Sequence, residues 1–286
     1  MDLFFDLLRS VIYGVIEGIT EWLPISSTGH MILAEQVLKF SFSAEFMEMF
    51  RVVIQLGAIL AVVVMYFKKL WPFCVDNGRD SGLAKHVRWP VMRLWFKIIV
   101  ACLPAAVLGL ALDDWIDAHF YNSVVVAVML IVYGIAFILI ERRPRVPTTT
   151  KLSRITYRQA LIVGAWQVLA LIPGTSRSGS TILGGMLCGM SRPAASQFTF
   201  FLAIPVMAGA SLLKLVKFFG KGNSFTLDQT VVLIVGCAVA FIVSIIAIRF
   251  LMDYVKKHTF TAFGWYRIAL GIVVLGVWAL QTFVLA

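Results

Sequence analysis

Charged side chains are scarce in this chain: 14% of its 286 residues are Asp, Glu, Lys or Arg, while 60% are hydrophobic and the mean hydropathy is +0.90. That balance excludes an ordinary water-soluble domain and predicts a polytopic membrane protein. Acids are scarcer than bases, 15 against 25. The resulting net charge of +10 would suit nucleic acid, but the bases fall between apolar runs with no basic helix or aromatic-basic patch, so no nucleic-acid partner is expected. Cys74, Cys102, Cys188 and Cys237 stand singly without metal-ligand spacing, which argues for packing thiols over a zinc site or a disulfide framework. A cleavable leader is not expected either: Asp2 and Asp6 occupy the place of a basic n-region and no small-residue cleavage site precedes Glu17, so the first apolar segment is read as retained.

What is present is apolar length. Six stretches approach the roughly 20 residues that cross a bilayer, near 49–67, 94–112, 123–141, 198–216, 229–251 and 263–284. Two further apolar regions, 3–40 and 158–190, are each interrupted by Pro, Gly and polar residues. Broken segments at membrane depth are tolerated where protein buries them or where they line a wet cavity.

The two broken regions resemble each other. At an offset of 150 residues, Gly14 and Glu17 face Gly164 and Gln167, and Phe50, Ile54 and Ala58 face Phe200, Ile204 and Ala208. Pro24 with Ser26 and Ser27 is matched to Pro173 with Thr175 and Ser176. The connections holding Lys68, Lys69, Arg79, Lys85, Arg88 and Arg93, and Arg142, Arg143, Arg145, Lys151, Arg154 and Arg158, are cytoplasmic by the positive-inside rule. The connection with Asp113, Asp114 and Asp117 is then outside; Lys214, Lys217 and Lys221 dissent by falling outside as well. Three crossings per half make the repeats inverted. The expected fold is an all-α polytopic membrane protein of six transmembrane helices and two re-entrant helix pairs, with one repeat over 1–141 and a second, inverted one over 142–286.

Chemistry concentrates in the two breaks. Glu17 to His30 reads E-G-I-T-E-W-L-P-I-S-S-T-G-H, and Pro173 to Thr181 reads P-G-T-S-R-S-G-S-T. Glu17 and Glu21 are four apart and share a helical face that Pro24 terminates. Glycines admit close backbone approach, hydroxyls and helix N-terminal amides bind oxyanions, and arginine offers a fork that matches phosphate. Ser26 and Thr28 in the first break, and Ser176, Arg177, Ser178 and Thr181 in the second, are the expected phosphate contacts. Glu17, Glu21 and Arg177 facing lipid would together cost on the order of 8 to 10 kcal/mol, so they are read as sharing a polar cavity rather than as incidental residues of a packing face. The two carboxylates could be a site for a divalent cation such as Mg²⁺ or Ca²⁺, a base, or a structural pair, with a metal bridge to phosphate oxygens the first choice. Ser27 precedes His30 by three residues, so one turn could bring the imidazole to the hydroxyl and make Ser27 a nucleophile with His30 as its base. The rival has His30 activate water while Ser27 binds a phosphate oxygen. Gly14 with Gly18, and Gly185 with Gly189, are read as close-packing faces, and Arg192 as an interfacial anchor.

These two motifs make the chain resemble, over essentially its whole length, the bacterial undecaprenyl-diphosphate phosphatase family of the bacitracin-resistance type. The resemblance implies hydrolysis of the C55 isoprenoid diphosphate to the monophosphate carrier lipid, at the outer face of the cytoplasmic (inner) membrane, in support of cell-wall synthesis. It also implies the inverted-repeat fold, and its motif positions fall on Glu17, Glu21, Ser26, Ser27, His30, Ser176, Arg177 and Thr181. The partners are then undecaprenyl diphosphate and the surrounding membrane lipids; the sequence specifies no oligomeric state. The other membrane lipid phosphatase class, which pairs Ser-Arg with a downstream His and Asp, fails on spacing, because the only histidine after Arg177 is the distant His258. A transporter that flips the phosphorylated carrier is the rival from another class, since inverted repeats with paired broken helices are a transporter architecture.

Overall fold

The computed structural model describes residues 2–75, 78, 85–143 and 146–283, and every regular element among them is helical. Two of the basic residues used for topology, Arg79 and Arg145, lie outside the described residues. α1 (Asp2–Thr20) and α2 (Ser27–Val37) flank the first break, followed by α3 (Ala44–Val53), α4 (Gln55–Met65), the single turn α5 (Phe67–Leu70), α6 (Trp89–Phe120) and α7 (Ser123–Glu141). The second half repeats this order with α8 (Tyr157–Val168) and α9 (Arg177–Leu187) around the second break, then α10 (Arg192–Gly220), α11 (Leu227–Lys257) and α12 (Thr261–Phe283). Among the described residues, six helices are long and apolar enough to span a membrane: α3 and α4 together, Trp89–Leu112 within α6, and α7, α10, α11 and α12.

Local chemistry accounts for the boundaries. α1 keeps its hydrogen bonding just past its end, with the Glu21 amide 3.0 Å from Glu17 O, and Pro24 follows with no amide to offer. Thr156 and Thr226 open α8 and α11 as capping boxes with Gln159 and Gln229. Ser43, Asn122 and Ser191 cap α3, α7 and α10 through side-chain oxygens. The Asp113 to Asp117 stretch is not a loop: it belongs to the last turns of α6, whose 32 residues run about 48 Å at the α-helical rise and so outreach a hydrocarbon core of about 30 Å.

Lipid tails supply no hydrophobic drive between helices, so close backbone approach matters. α1 packs on α11 through Gly14 and Gly18, where a Cβ would come within 2.8 Å of Gly236 O and 2.9 Å of Ala240 O. A Cβ on Gly185 would likewise come within 3.0 Å of Ala195 Cβ. Gly189 departs from expectation, because its φ of +91° places it in a turn against Thr148 and not on a helix face. The contacts are exchanged when the halves are exchanged: α1 packs on α11 as α8 packs on α6, α4 on α11 as α10 on α6, and α7 on α12. Lys214 of the dissenting lysine group pairs with Glu48 at 2.6 Å, which offsets positive charge on that face.

Candidate active site

The two breaks end in the same backbone feature. Ser26 (φ 72°, ψ 106°) and Ser176 (φ 70°, ψ 120°) are the only described non-glycine residues with positive φ, and each caps the following helix through its Oγ, which accepts from Gly29 N at 3.4 Å and Gly179 N at 3.1 Å. Their separation is the 150-residue offset of the repeat, so Pro24 stands opposite Gly174. The prolines themselves are out of register by one residue, correcting the match of Pro24 to Pro173: the equivalence follows the caps, which define where each helix starts. Both caps leave first-turn amides of an eleven-residue helix available to an anion, with the positive end of the helix dipole behind them.

Arg177 joins the breaks. Its Nε and Nη2 donate to Glu21 Oε1 at 3.2 and 2.8 Å, and its Nη1 donates to Thr199 O at 3.0 Å. The pair is well shielded, with side-chain exposures of 12% and 8%, so each charge depends on the other. Glu21 Oε2 accepts from Ser27 Oγ at 3.3 Å. Ser27, Glu21 and Arg177 therefore form one hydrogen-bonded chain across the two halves.

His30 is placed otherwise than its spacing suggested. Nδ1 lies 2.7 Å from Ser26 O and Nε2 lies 2.8 Å from the Tyr266 hydroxyl, with the two rings stacked at 5.6 Å. Both ring nitrogens are thus engaged away from Ser27, whose partner is the carboxylate. Ser178 and Thr181 also differ from expectation as free phosphate donors. Ser178 donates to Leu23 O at 3.4 Å, and Thr181 donates to Arg177 O at 2.8 Å while accepting from Thr199 Oγ1 at 2.9 Å. Their hydroxyl hydrogens are spent on backbone carbonyls that hold the two breaks together and brace the start of α9. Ser176 Oγ stays at the junction, 3.2 Å from Ser178 Oγ, and half-buried Thr28 sits in the first turn of α2.

Glu17 is buried one helical turn before buried Glu21, and its Oε1 has no hydrogen-bond partner. Two neighbouring buried carboxylates repel each other unless a proton or a cation lies between them. The orphaned oxygen and the paired carboxyls fit a hard divalent cation. Among the described residues no group of three or more His, Cys, Asp or Glu side chains could hold one alone, so phosphate oxygens and water would complete its coordination.

Arg267 was missed by sequence reasoning. It is fully buried in α12 and donates to Pro24 O at 3.2 Å and to Gly174 O and Thr175 O at 2.9 Å each, clamping the equivalent positions of both breaks, with weaker contacts to Leu130 O and Met129 O. The available signal was the cost of an arginine inside an apolar run, about 2.5 to 3.5 kcal/mol on insertion scales. Tyr266 and Thr199 had no comparable signal. Arg192, expected as an interfacial anchor, is committed to buried Glu141 through Nε at 2.7 Å, and the same carboxylate accepts from Phe260 N at 3.0 Å.

The chain is 59% identical to an undecaprenyl-diphosphatase of Enterococcus faecalis over 278 residues, 96% of this chain and 99% of that protein. It is 58% identical to one of Lactococcus lactis subsp. cremoris over 274 residues, 94% of this chain and 96% of that protein, and 55% identical to one of Desulfitobacterium hafniense over 285 residues, 98% of each. The profile of the family described as bacitracin resistance protein BacA matches residues 10–273, and this chain belongs to that family.

Proposed function

We propose that this chain is an undecaprenyl diphosphatase, which hydrolyses the lipid diphosphate to undecaprenyl phosphate and inorganic phosphate. The observation that carries the reading is the Ser27–Glu21–Arg177 chain, set among membrane-spanning helices at the paired N-termini of α2 and α9. A lipid substrate keeps its tail in the bilayer and presents its diphosphate to these N-termini. Arg177, held on Glu21 and Thr199, places a planar cation against the terminal phosphoryl group, where it stabilises charge spreading over the oxygens. Ser27 Oγ attacks the terminal phosphorus, its proton passes to Glu21 Oε2, and the bond to the bridging oxygen breaks to release the lipid monophosphate. Water then attacks the phosphoserine, phosphate leaves, and Ser27 Oγ regains a proton. A divalent cation held by Glu17 and Glu21 would supply charge neutralisation at the diphosphate oxygens. Release of phosphate from undecaprenyl diphosphate by the purified protein in detergent, where no transport can occur, tests hydrolysis against the flippase reading. Its absence overturns the proposal.

The same reading places the protein in the bacterial inner membrane as two inverted repeats, 1–141 and 142–286, with the breaks as re-entrant pairs and the site opening to the periplasmic side. The exchange of packing partners between the halves and the charge asymmetry of the connections support that orientation.

A further inference from the structure

We propose that Tyr266 is a positioning residue for His30, holding through its ring stack and its hydroxyl an imidazole whose proton Ser26 O fixes on Nδ1, so that Nε2, on the α12 side of the ring, carries the lone pair. The catalytic consequence rests on the phosphatase reading; the premise is geometric. Ser26 O lies 2.7 Å from Nδ1, and a carbonyl oxygen only accepts, so Nδ1 carries the hydrogen. The neutral ring then has its lone pair on Nε2, and the hydroxyl of Tyr266, 2.8 Å away, donates to it.

The counterpart break shows what is particular here. Ser176 O accepts from the Ser180 amide at 2.9 Å, whereas Ser26 O accepts from the side chain of the residue at the matching position. Two interactions then orient the ring: the stack on Tyr266, with planes 9° apart, and the hydrogen bond at its far nitrogen. A phenol hydroxyl both donates and accepts. When Nε2 takes a proton the hydroxyl turns and accepts from it, so the ring keeps its place in either charge state. Ser27 meanwhile faces Glu21, so neither ring nitrogen of His30 is directed at the Ser27 hydroxyl.

The test uses full-length protein in detergent, labelled with ¹⁵N at histidine alone, which gives four imidazoles. Loss of a signal pair in His30→Gln identifies His30. At a pH where the ring is neutral, wild type is expected to show a protonated Nδ1 and a bare Nε2. Tyr266→Phe keeps the stack and removes the hydroxyl; it is expected to leave the proton on Nδ1, to shift the Nε2 resonance as that nitrogen loses its hydrogen bond, and to lower kcat about three- to tenfold, the worth of one hydrogen bond, with KM changed by less than about twofold. A proton on Nε2 in wild type overturns the proposal without any variant, and so does a Tyr266→Phe protein with unchanged spectrum and kcat. Should wild type show the Nδ1 tautomer yet release no phosphate from undecaprenyl diphosphate, the phosphatase reading fails and the tautomer assignment stands.

Discussion

Arg177 and Glu21, 156 residues apart in the chain, meet through two guanidinium nitrogens on one carboxylate oxygen, and this contact closes the two broken segments on each other. A buried pair of this kind contributes little net stability over an apolar substitute but costs much when halved. Arg177→Ala is accordingly expected to destabilise the protein by about 3 to 5 kcal/mol, because Glu21 is left uncompensated. Arg177→Lys keeps the charge and loses the fork, and its turnover is expected to fall toward the roughly 10³-fold loss typical of a removed arginine contact to a transferring phosphoryl group. Thermal unfolding and phosphate release measure the two effects separately; a lysine variant with near-normal turnover would demote Arg177 to general electrostatics.

Ser27→Ala distinguishes a nucleophile from a hydrogen-bond donor. Loss of one oxyanion contact costs about 10² to 10³ in rate, and loss of the nucleophile is expected to exceed that. Acid-quenching wild type during turnover of substrate labelled in its terminal phosphate is expected to trap label on Ser27. Several per cent residual activity in Ser27→Ala, with no trapped label, would favour direct attack by water.

The orphaned Glu17 Oε1 beside Glu21 leads to the metal prediction. Chelation is expected to abolish turnover, with recovery on adding Mg²⁺ or Ca²⁺, and Glu17→Gln is expected to raise the metal concentration needed by more than about tenfold. Full activity in chelator would leave the carboxyl pair as a proton-sharing or structural element.

Arg267 satisfies three carbonyl oxygens at 3.2 Å or less from both breaks. Arg267→Met preserves much of the volume and leaves those carbonyls unpaired, at a cost of about 1 to 3 kcal/mol for each buried group. A lowered Tm together with lost turnover is the expected result, and a variant as stable as wild type would show that water replaces the clamp.

Cysteines introduced at Asp117 and Thr150, in a background lacking the four native thiols, report orientation. Labelling from opposite sides of the membrane is expected. Same-side labelling would end the inverted-repeat reading.

The sequence by itself determined the membrane class, the six spans and the position of both breaks, because hydropathy and proline act locally. The run in α7 can only be buried or lipid-facing, and Pro24 has no amide to continue a helix. It also marked Glu17, Glu21 and Arg177, since ionisable groups in so apolar a chain require a polar enclosure. Partner choice was decided only by the tertiary structure. Glu21 and not His30 faces Ser27, Tyr266 faces His30, the hydroxyls of Ser178 and Thr181 turn inward, and Arg267 clamps both breaks. Each of these depends on which turns of distant helices are brought within about 3 Å of one another, the reach of a hydrogen bond. Such a match can be lost by a shift of one residue, and one residue is the distance by which the prolines mislead about the register that Ser26 and Ser176 define.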